Sequence, residues 1–384
     1  MAAAEWSTVN RLIDTYMGFG FALVKPPLME FEAGLMSGPG VALAPQTFRL
    51  MDPVSSKMLG LRADITAQIA RIAGSRLQAH ARPLRLAYAG EVVRVNGTDL
   101  RPERQFCQVG AELIGAIEAS ADAEIITMAV AALRQLDIEG LSIDLCLPTL
   151  QPHFLRGSGL TGDDLADLAE AVRRRDREAV LTVESPVSRV LADLLNASGP
   201  VSTALPALQA VEMPSGLKGD VQRLISVVEL VQRDLPDLTI TVDPLERRGF
   251  EYQTGLSFTL FARDVRGELG RGGRYRSAGV MGAEPVKRVE GEAANRLATL
   301  GEPAVGFTLF MDSIMRALPA ADQEKRLAVP ASLTLAERQK LSAEGWVVIR
   351  DLGDQPDELA AFAVAQRCTH FWQGNEAKPV TKTD

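Results

Sequence analysis

The chain has 384 residues, 46% of them apolar, and its 41 basic against 49 acidic side chains give a net charge of −8. This length exceeds that of one ordinary domain, so we expect two or three domains and a large apolar core. An acidic chain lacks the clustered lysine and arginine that neutralise phosphates, which disfavours a large RNA or another nucleic acid as a partner.

Cysteine and histidine usage indicates neither a disulfide framework nor a metal site. The three cysteines, Cys107, Cys146 and Cys368, are far apart and odd in number, as is typical of a reducing compartment. The three histidines stand at no metal-ligand spacing with them, so we expect no metal and no cofactor. The N-terminus shows no signal-peptide pattern and no apolar run is long enough for a transmembrane helix. We therefore expect a cytoplasmic chain that makes no membrane contact.

The first half of the chain predicts a sheet with helices packed on it. Apolar residues at helical spacing over 6–20 predict an amphipathic helix, and 21–25 predicts a short strand that ends at two prolines. Further helices are predicted at 65–77 and 119–136, and further strands at 84–89, 91–95 and 105–114. Because most of these strands follow one another without an intervening helix, we expect an antiparallel sheet and the α+β class.

The second half of the chain predicts a helical insertion, a tight turn and a small C-terminal domain. Residues 153–237 carry helical periods broken by glycine, serine and proline, which indicates a helical insertion in a core of residues 1–318. The glycine-rich run 270–274 lacks the GxGxxG spacing of a phosphate loop, so we interpret it as a tight turn with Tyr275 pointing inward. Residues 322–384 alternate between strand and helix patterns, which predicts a small C-terminal α/β domain.

Five segments carry recognisable motifs, in this order: LRADIT at 61–66, YAGEVVR at 88–94 with RQFCQ at 104–108, RGFEYQTG at 248–255, GGRY at 272–275 and PAVGFTLFMDSI at 303–314. Together they resemble the signatures of class II aminoacyl-tRNA synthetases of the histidyl type. The resemblance implies the class II synthetase-like antiparallel sheet flanked by helices, and a helical insertion where 153–237 lies. It also implies a homodimer, because the helix and strand over 6–28 resemble the signature that forms the dimer interface.

Ser313 departs from this family at the position that matters most for catalysis. The synthetases have an arginine there, which holds the outer phosphates of ATP, and a serine supplies no positive charge. A charge-assisted hydrogen bond contributes roughly 1.5 to 3 kcal/mol, so losing such a clamp should cost at least tenfold in rate. Arg94 and Arg248 match the two arginines on the α-phosphate and are candidates for a residual phosphate site. Because the C-terminal domain is also short and slightly acidic, we expect no catalytic residue and no tRNA binding.

The amino-acid pocket is better preserved. Histidine presents an ammonium, a carboxylate and an imidazole, so its site needs an anion, a cation and a pair of hydrogen-bonding groups. The resemblance implies an ammonium side, a carboxylate partner and an imidazole end, and it places Gln253 where the family has a tyrosine. The candidate histidine-binding residues are Asp64, Thr66, Gln108, Glu112, Arg248, Tyr275 and Gln253.

A histidine-shaped pocket without a phosphate clamp is similar to the synthetase-like regulatory subunits of ATP phosphoribosyltransferase. That resemblance implies a non-catalytic, allosteric subunit that joins a short-form catalytic subunit in the first step of histidine biosynthesis. It also implies a homodimer within a hetero-oligomer, needed for activity and for feedback inhibition by histidine as effector. Two alternatives stay open from the sequence: an active histidine–tRNA ligase, and a stand-alone amino-acid-binding module.

Overall fold

A computed structural model describes residues 2–36, 38–98, 101–247, 253–277, 301–319, 324–353 and 358–380, without the side chains of 38, 39 and 41. The chain divides into two units, Met1–Leu318 and Pro319–Asp384. None of the helices in the described residues is both long and apolar enough to cross a membrane.

The first unit is built on two sheets. Its strands are β1 (Ala22–Leu23), β2 (Met29–Phe31), β3 (Arg49–Met51), β4 (Met58–Leu61), β5 (Leu84–Val93), β6 (Gln105–Ile114), β7 (Leu141–Cys146), β8 (Gly199–Pro200), β9 (Thr239–Asp243), β10 (Gln253–Ala262), β11 (Gly270–Arg276) and β12 (Pro303–Phe310). Nine of them form one sheet in the order β1-β5-β6-β12-β11-β10-β7-β9-β8, and β2-β4-β3 form the other. Within the described strands of the large sheet, β1–β5 and β7–β9 pair in parallel and the other neighbours are antiparallel.

The described helices of this unit are α1 (Ala2–Gly18), α2 (Glu32–Leu35), a 3-10 helix (Gly38–Gln46), α3 (Thr66–Gly74), α4 (Ala119–Arg134), α5 (Leu150–Arg156), α6 (Gly162–Arg173), α7 (Arg177–Thr182), α8 (Ser188–Asn196), α9 (Val201–Ala210), α10 (Lys218–Asp234) and α11 (Met311–Ala317). The helices α5 to α10 lie between β7 and β9 in the chain, interrupted by the short strand β8. The predicted α+β class is confirmed.

The two faces of the central strands have different neighbours. On β6, Val109 and Leu113 point into the main apolar cluster with α1 and α4, while Phe106 and Ile114 belong to a second, smaller cluster. The α1 side is closed by Tyr16, which is fully buried and meets the ring of a β12 phenylalanine edge-on. Because α1 and α4 cover one face completely, polar groups of these strands have room only on the opposite face.

Two local predictions differ from the structure. The segments predicted as separate strands at 84–89 and 91–95 form the single strand β5, in which Gly90 admits the Arg62 side chain: a Cβ there would lie 2.3 Å from Arg62 Nη2. The predicted turn at 270–274 is wrong, because these residues belong to β11. A Cβ at Gly272 would lie 2.4 Å from the Gly306 carbonyl oxygen, so glycine here permits close strand packing.

The second unit contains β13 (Arg326–Val329), α12 (Leu335–Ala343), β14 (Val347–Arg350), α13 (Leu359–Ala365), β15 (His370–Gln373) and β16 (Glu376–Pro379). Its sheet has the order β14-β13-β15-β16, with β13 parallel to both of its neighbours. The strand β16 was not predicted. It pairs with β15, and the turn between the two strands consists of Gly374 and Asn375. Both have a φ of 63°, a backbone conformation that favours glycine and asparagine.

A buried ion pair ties α4 to the central sheet. Asp122 lies in the first turn of α4. Its Oδ1 lies 2.7 Å from Arg274 Nε of β11 in an ion pair, and its Oδ2 accepts from Arg223 Nη1 of α10 at 2.9 Å. The Asp122 and Arg274 side chains are only 1% and 8% exposed. Arg274 also donates to the carbonyl oxygens of Ala116 and Glu118. The pair therefore fixes β11, which carries Tyr275, against the helical layer.

The Asp122→Ala variant should lower the free energy of unfolding by roughly 3 to 5 kcal/mol, because a buried arginine loses its counter-charge. The matched control is Asp237→Ala, which removes an aspartate paired with Arg134 where the side chains are 71% and 38% exposed. We expect no measurable change in the unfolding free energy of this control, since exposed ion pairs contribute little to stability. Urea unfolding of both variants checks the contrast, and equal losses would contradict it.

Candidate amino-acid-binding site

A cavity of about 570 Å³ opens on the face of the sheet opposite α1 and α4. It is bounded by the 3-10 helix, the start of α3, the segment after β5 and the strands β6, β10, β11 and β12. Its polar lining residues include Gln46, Asp64, Thr66, Arg94, Asn96, Thr98, Glu112, Gln253, Arg271, Tyr275 and Thr308. Most of the predicted site residues in the described part of the chain therefore face one cavity.

Glu112 lies deep in the cavity wall, with 1% of its surface exposed. It stands on β6 directly opposite Gly306 of β12. A Cβ at Gly306 would lie only 1.7 Å from Glu112 Oε2, so the absence of a side chain at 306 makes room for the carboxyl. Tyr88 of β5 donates its hydroxyl to Glu112 Oε1 at 3.3 Å. A glycine and a tyrosine from the two neighbouring strands thus hold the carboxyl in place.

Burial raises the pKa of Glu112 from 4.5 to about 8. Hydrogen bonds from Tyr275, Thr66 and Tyr88 oppose this shift, while the nearby charge of Asp64 adds to it. At neutral pH a large share of this carboxyl therefore keeps its proton, and it can act as donor or acceptor. Such a group suits a ligand that itself offers one donor and one acceptor nitrogen.

Asp64 forms the second anchor of the cavity. Its Oδ1 accepts from the Thr66 backbone N–H at 2.8 Å, and its Oδ2 accepts from Gln108 Nε2 at 2.8 Å. Gln108 is fully buried, and its Oε1 in turn accepts from the Ile65 backbone N–H at 3.1 Å. Arg94 Nη2 lies 3.8 Å from Asp64 Oδ2. These contacts fix a carboxylate at the cavity wall, where it can receive a cation.

The remaining predicted residues differ in what the structure shows. Gln253 lines the cavity and donates Nε2 to the Gly272 carbonyl at 3.2 Å, while its Oε1 accepts from Ser257. Its amide is therefore engaged with strands β10 and β11. Arg248 lies outside the described residues.

Tyr88 and Thr308 belong to the site but were not among the predicted residues. Their hydroxyl oxygens lie 2.6 Å apart, and Tyr88 also lies 3.3 Å from the Thr66 hydroxyl. Thr308 lies within the motif at 303–314. Tyr88 sits opposite Gly110, where a Cβ would lie 2.5 Å from its hydroxyl. A tyrosine on one predicted strand and a glycine on the next are the features of the sequence that could have indicated this site residue.

Ser313 lies in α11 with 1% of its surface exposed. Its hydroxyl accepts from Arg316 Nη2 at 3.0 Å, and the Arg316 side chain is 43% exposed. The position that carries the phosphate clamp in the synthetases therefore contributes a neutral, buried hydroxyl. Arg94 supplies a guanidinium at the cavity wall, 5.0 Å from the Phe106 ring centroid.

One group of possible metal ligands occurs among the described residues: ligand atoms of Glu5, Glu91 and Cys107 lie within 4.8 Å of one another. Burial, together with the two carboxylates, raises the pKa of the Cys107 thiol to about 12. A thiol that keeps its proton is a poor metal ligand, so this group does not fit a metal site well.

Comparison of the sequence with known proteins shows which family the chain resembles. The histidyl-tRNA synthetase family model matches residues 1–314. The ATP phosphoribosyltransferase regulatory subunit of Rhodospirillum centenum is 46% identical over 379 residues, which covers 99% of this chain and 93% of that protein.

Two solved structures share the fold. A Bacillus halodurans protein described as an ATP phosphoribosyltransferase regulatory subunit/histidyl-tRNA synthetase matches with a TM-score of 0.72 at 22% identity, covering 94% of this chain and 92% of that chain. A chain of the ATP phosphoribosyltransferase complex from Thermotoga maritima matches with a TM-score of 0.58 at 15% identity, covering 80% of this chain and 97% of that chain.

Fold and cavity together define a protein built on the class II synthetase core of the histidyl type. The chain belongs to the family of ATP phosphoribosyltransferase regulatory subunits. The predicted family is confirmed, as is the prediction of a regulatory subunit that is not itself the enzyme.

The Glu112→Gln variant tests the buried carboxyl through its pH dependence. In the unfolded chain this carboxyl ionises at its ordinary pKa, whereas the folded protein keeps the proton up to about pH 8. The stability that depends on this proton is fully present below the ordinary pKa and is lost as the pH rises through the folded pKa. Glutamine does not titrate, so the variant should gain about 1 kcal/mol or more relative to wild type between about pH 5 and about pH 9.

Urea unfolding of the two proteins at both pH values measures this difference. Other titrating groups are shared and cancel in the comparison. A difference in unfolding free energy that stays the same at both pH values would show that Glu112 ionises normally in the folded state.

Proposed function

We propose that the cavity binds free histidine, and that its occupancy carries feedback inhibition to the short-form catalytic subunit of ATP phosphoribosyltransferase in histidine biosynthesis. The observation that supports this most directly is the buried carboxyl of Glu112, held beside Tyr275 in the same cavity as the Asp64 carboxylate. Few ligands offer both a polar ring for a buried carboxyl that can donate or accept a hydrogen bond and a positive charge for a carboxylate in the same cavity.

The Glu112 end suits an imidazole. A neutral imidazole carries one N–H donor and one acceptor nitrogen, and each loses its water on entering the pocket. The carboxyl of Glu112 and the hydroxyl of Tyr275, whose residue is 3% exposed, can each take one nitrogen. A side chain without ring nitrogens would displace water from the carboxyl without giving it a new hydrogen bond, which is the costly outcome.

The Asp64 end suits an ammonium group. The carboxylate already receives two hydrogen bonds, from the Thr66 backbone and from Gln108, and so has a fixed orientation. Each carboxylate oxygen has capacity for a further donor. Arg248, which lies outside the described residues, is proposed as the partner of the ligand carboxylate on the family resemblance alone. Arg94 and Arg248 stay candidates for a residual phosphate site.

The same cavity is poorly suited to activating an amino acid. That reaction moves negative charge onto a leaving pyrophosphate, which needs cations in fixed positions. Ser313 supplies only a buried hydroxyl that is already bonded to Arg316. The site thus favours reversible binding of the amino acid, as a regulatory role requires.

We include a homodimer in the proposed assembly because α1 and β1 expose large apolar side chains. Trp6 and Met17 are 71% and 53% exposed, and their spacing of eleven residues puts them on the same side of α1. Leu23 of the edge strand β1 is 52% exposed. A second copy of this chain would cover this surface and the open strand edge. The dimer would then join catalytic subunits in a hetero-oligomer.

Histidine should raise the melting temperature of the purified chain, because a ligand that binds only the folded state stabilises it by about 2.7 kcal/mol at one hundred times its Kd. Glu112→Ala should remove at least most of this shift, since one imidazole nitrogen loses its partner. The control Glu229→Ala removes an exposed carboxylate from α10 and should respond as the wild type does. A full shift in Glu112→Ala would place the histidine site elsewhere.

Adding this chain to the isolated short-form catalytic subunit should raise the rate of phosphoribosyl-ATP formation and make that rate sensitive to histidine. The Glu112→Ala chain should still activate the catalytic subunit, but histidine should inhibit the complex much less. The coupling between the histidine site and the catalytic subunit, roughly 1 to 3 kcal/mol, acts only when histidine is bound. Enzyme assays, with sedimentation to measure the mass of each assembly, check both points. A catalytic subunit that is fully active and histidine-sensitive alone would contradict the proposal.

A further inference from the structure

The most unusual feature beside the cavity is the side chain of Arg101, a charged residue of which only 7% is exposed. We propose that Arg101 fills an aromatic slot in which the planar base of a nucleotide could stack, and so excludes nucleotides from the cavity. This inference rests on the surroundings of Arg101 and does not depend on the histidine proposal.

The slot is the ring face of Phe310 of β12, with Phe106 of β6 in edge-to-face contact beside it. Their ring centroids are 6.1 Å apart at an interplanar angle of 74°, and both residues are buried. The guanidinium carbon of Arg101 lies 3.8 Å from the Phe310 centroid and 5.1 Å from the Phe106 centroid. At 3.8 Å the guanidinium is in van der Waals contact with the ring face, so no second planar group fits between them.

Arg101 is held in this position from both ends. Its Nε donates to both carboxylate oxygens of Asp312, at 3.2 and 3.1 Å, and the two side chains are 8% and 13% exposed. Its backbone N–H donates to the Thr98 carbonyl at 3.0 Å, and its carbonyl accepts from the Thr98 N–H at 2.7 Å. A Cβ at Gly97 would lie 2.4 Å from the Pro102 carbonyl oxygen, so glycine here permits the backbone at 97 and 102 to lie close together. These contacts fix the position of the Arg101 side chain in the folded protein.

The slot adjoins groups that would otherwise attract a nucleotide. Phe310, Arg94 and Arg271 all line the cavity. The guanidinium carbon of Arg94 lies 5.0 Å from the Phe106 centroid, and that of Arg271 lies 5.5 Å from the Phe310 centroid. An aromatic ring face with arginines beside it suits a base and its phosphates. Arg101 occupies the stacking position, which would let this chain work beside an ATP-using partner without competing for the nucleotide.

The test compares two variants that remove the same charge but differ in volume. Arg101→Ala empties the slot, whereas Arg101→Met keeps it filled with a side chain of similar length. Calorimetric titration of the purified chain with adenosine 5′-monophosphate should show no binding to wild type or Arg101→Met at about millimolar concentration. Arg101→Ala should bind at least tenfold more tightly than either, the gain expected from one base stacked on an aromatic ring. Arg104→Ala, which removes an exposed arginine of the same segment, should behave as wild type.

Cooperative thermal unfolding of each variant shows that it is folded. Should Arg101→Ala fail to fold, Asp312→Ala is the substitute, because it releases Arg101 from its clamp and should also gain nucleotide binding. The proposal is overturned if wild type already binds the nucleotide as tightly as Arg101→Ala, if alanine and methionine at 101 give equal gains, or if a folded Arg101→Ala gains nothing.

Discussion

The burial of one carboxyl group between three strands is the constraint on which the rest of the site depends. Glu112 lies on β6, with β5 on one side of this strand and β12 on the other. Desolvating this group is costly, and the cost is offset only where neighbouring hydroxyl groups can hydrogen-bond to it. Tyr88, Thr66 and Tyr275 do so. The room for Glu112 and Tyr88 comes from Gly306 and Gly110, which directly face them in the neighbouring strands.

Strand register makes this arrangement specific. The cavity face of β6 carries Gln108 and Glu112, while Val109 and Leu113 point to the opposite face, into the apolar cluster with α1 and α4. A shift of β6 by one residue would bury both polar side chains among the apolar helices and expose the valine and leucine. The packing of α1 and α4 on one face therefore protects the geometry of the site on the other.

The cavity also shares its framework with the exposed apolar surface of α1 and β1. Arg62, which is 5% exposed, donates to the Pro26 carbonyl just after β1 at 2.9 Å and to the Glu91 carbonyl of β5 at 2.7 Å. Asp64 follows two residues later in the chain. The segment that carries Asp64 is thus hydrogen-bonded to the chain just after β1, a strand of that apolar surface. This gives the proposed binding site and the proposed dimer contact a common set of hydrogen bonds.

The sequence by itself determined the class of fold and the family, and it singled out most of the polar residues that bound the cavity, because these depend on residue type and local spacing. The motif at 61–66, Glu112 within an apolar strand and Ser313 in place of an arginine are all visible along the chain. The glycine-rich run of β11 has the local pattern of a turn, but its glycines serve contacts with β10 and β12 that no local pattern contains. The slot at Phe106 and Phe310 also required the tertiary structure. Arg101 and Asp312 are 211 residues apart, and only the pairing of β6 with β12 brings them together. Which side chains meet across a sheet is decided by strand order and register, and these are set by packing of the whole core.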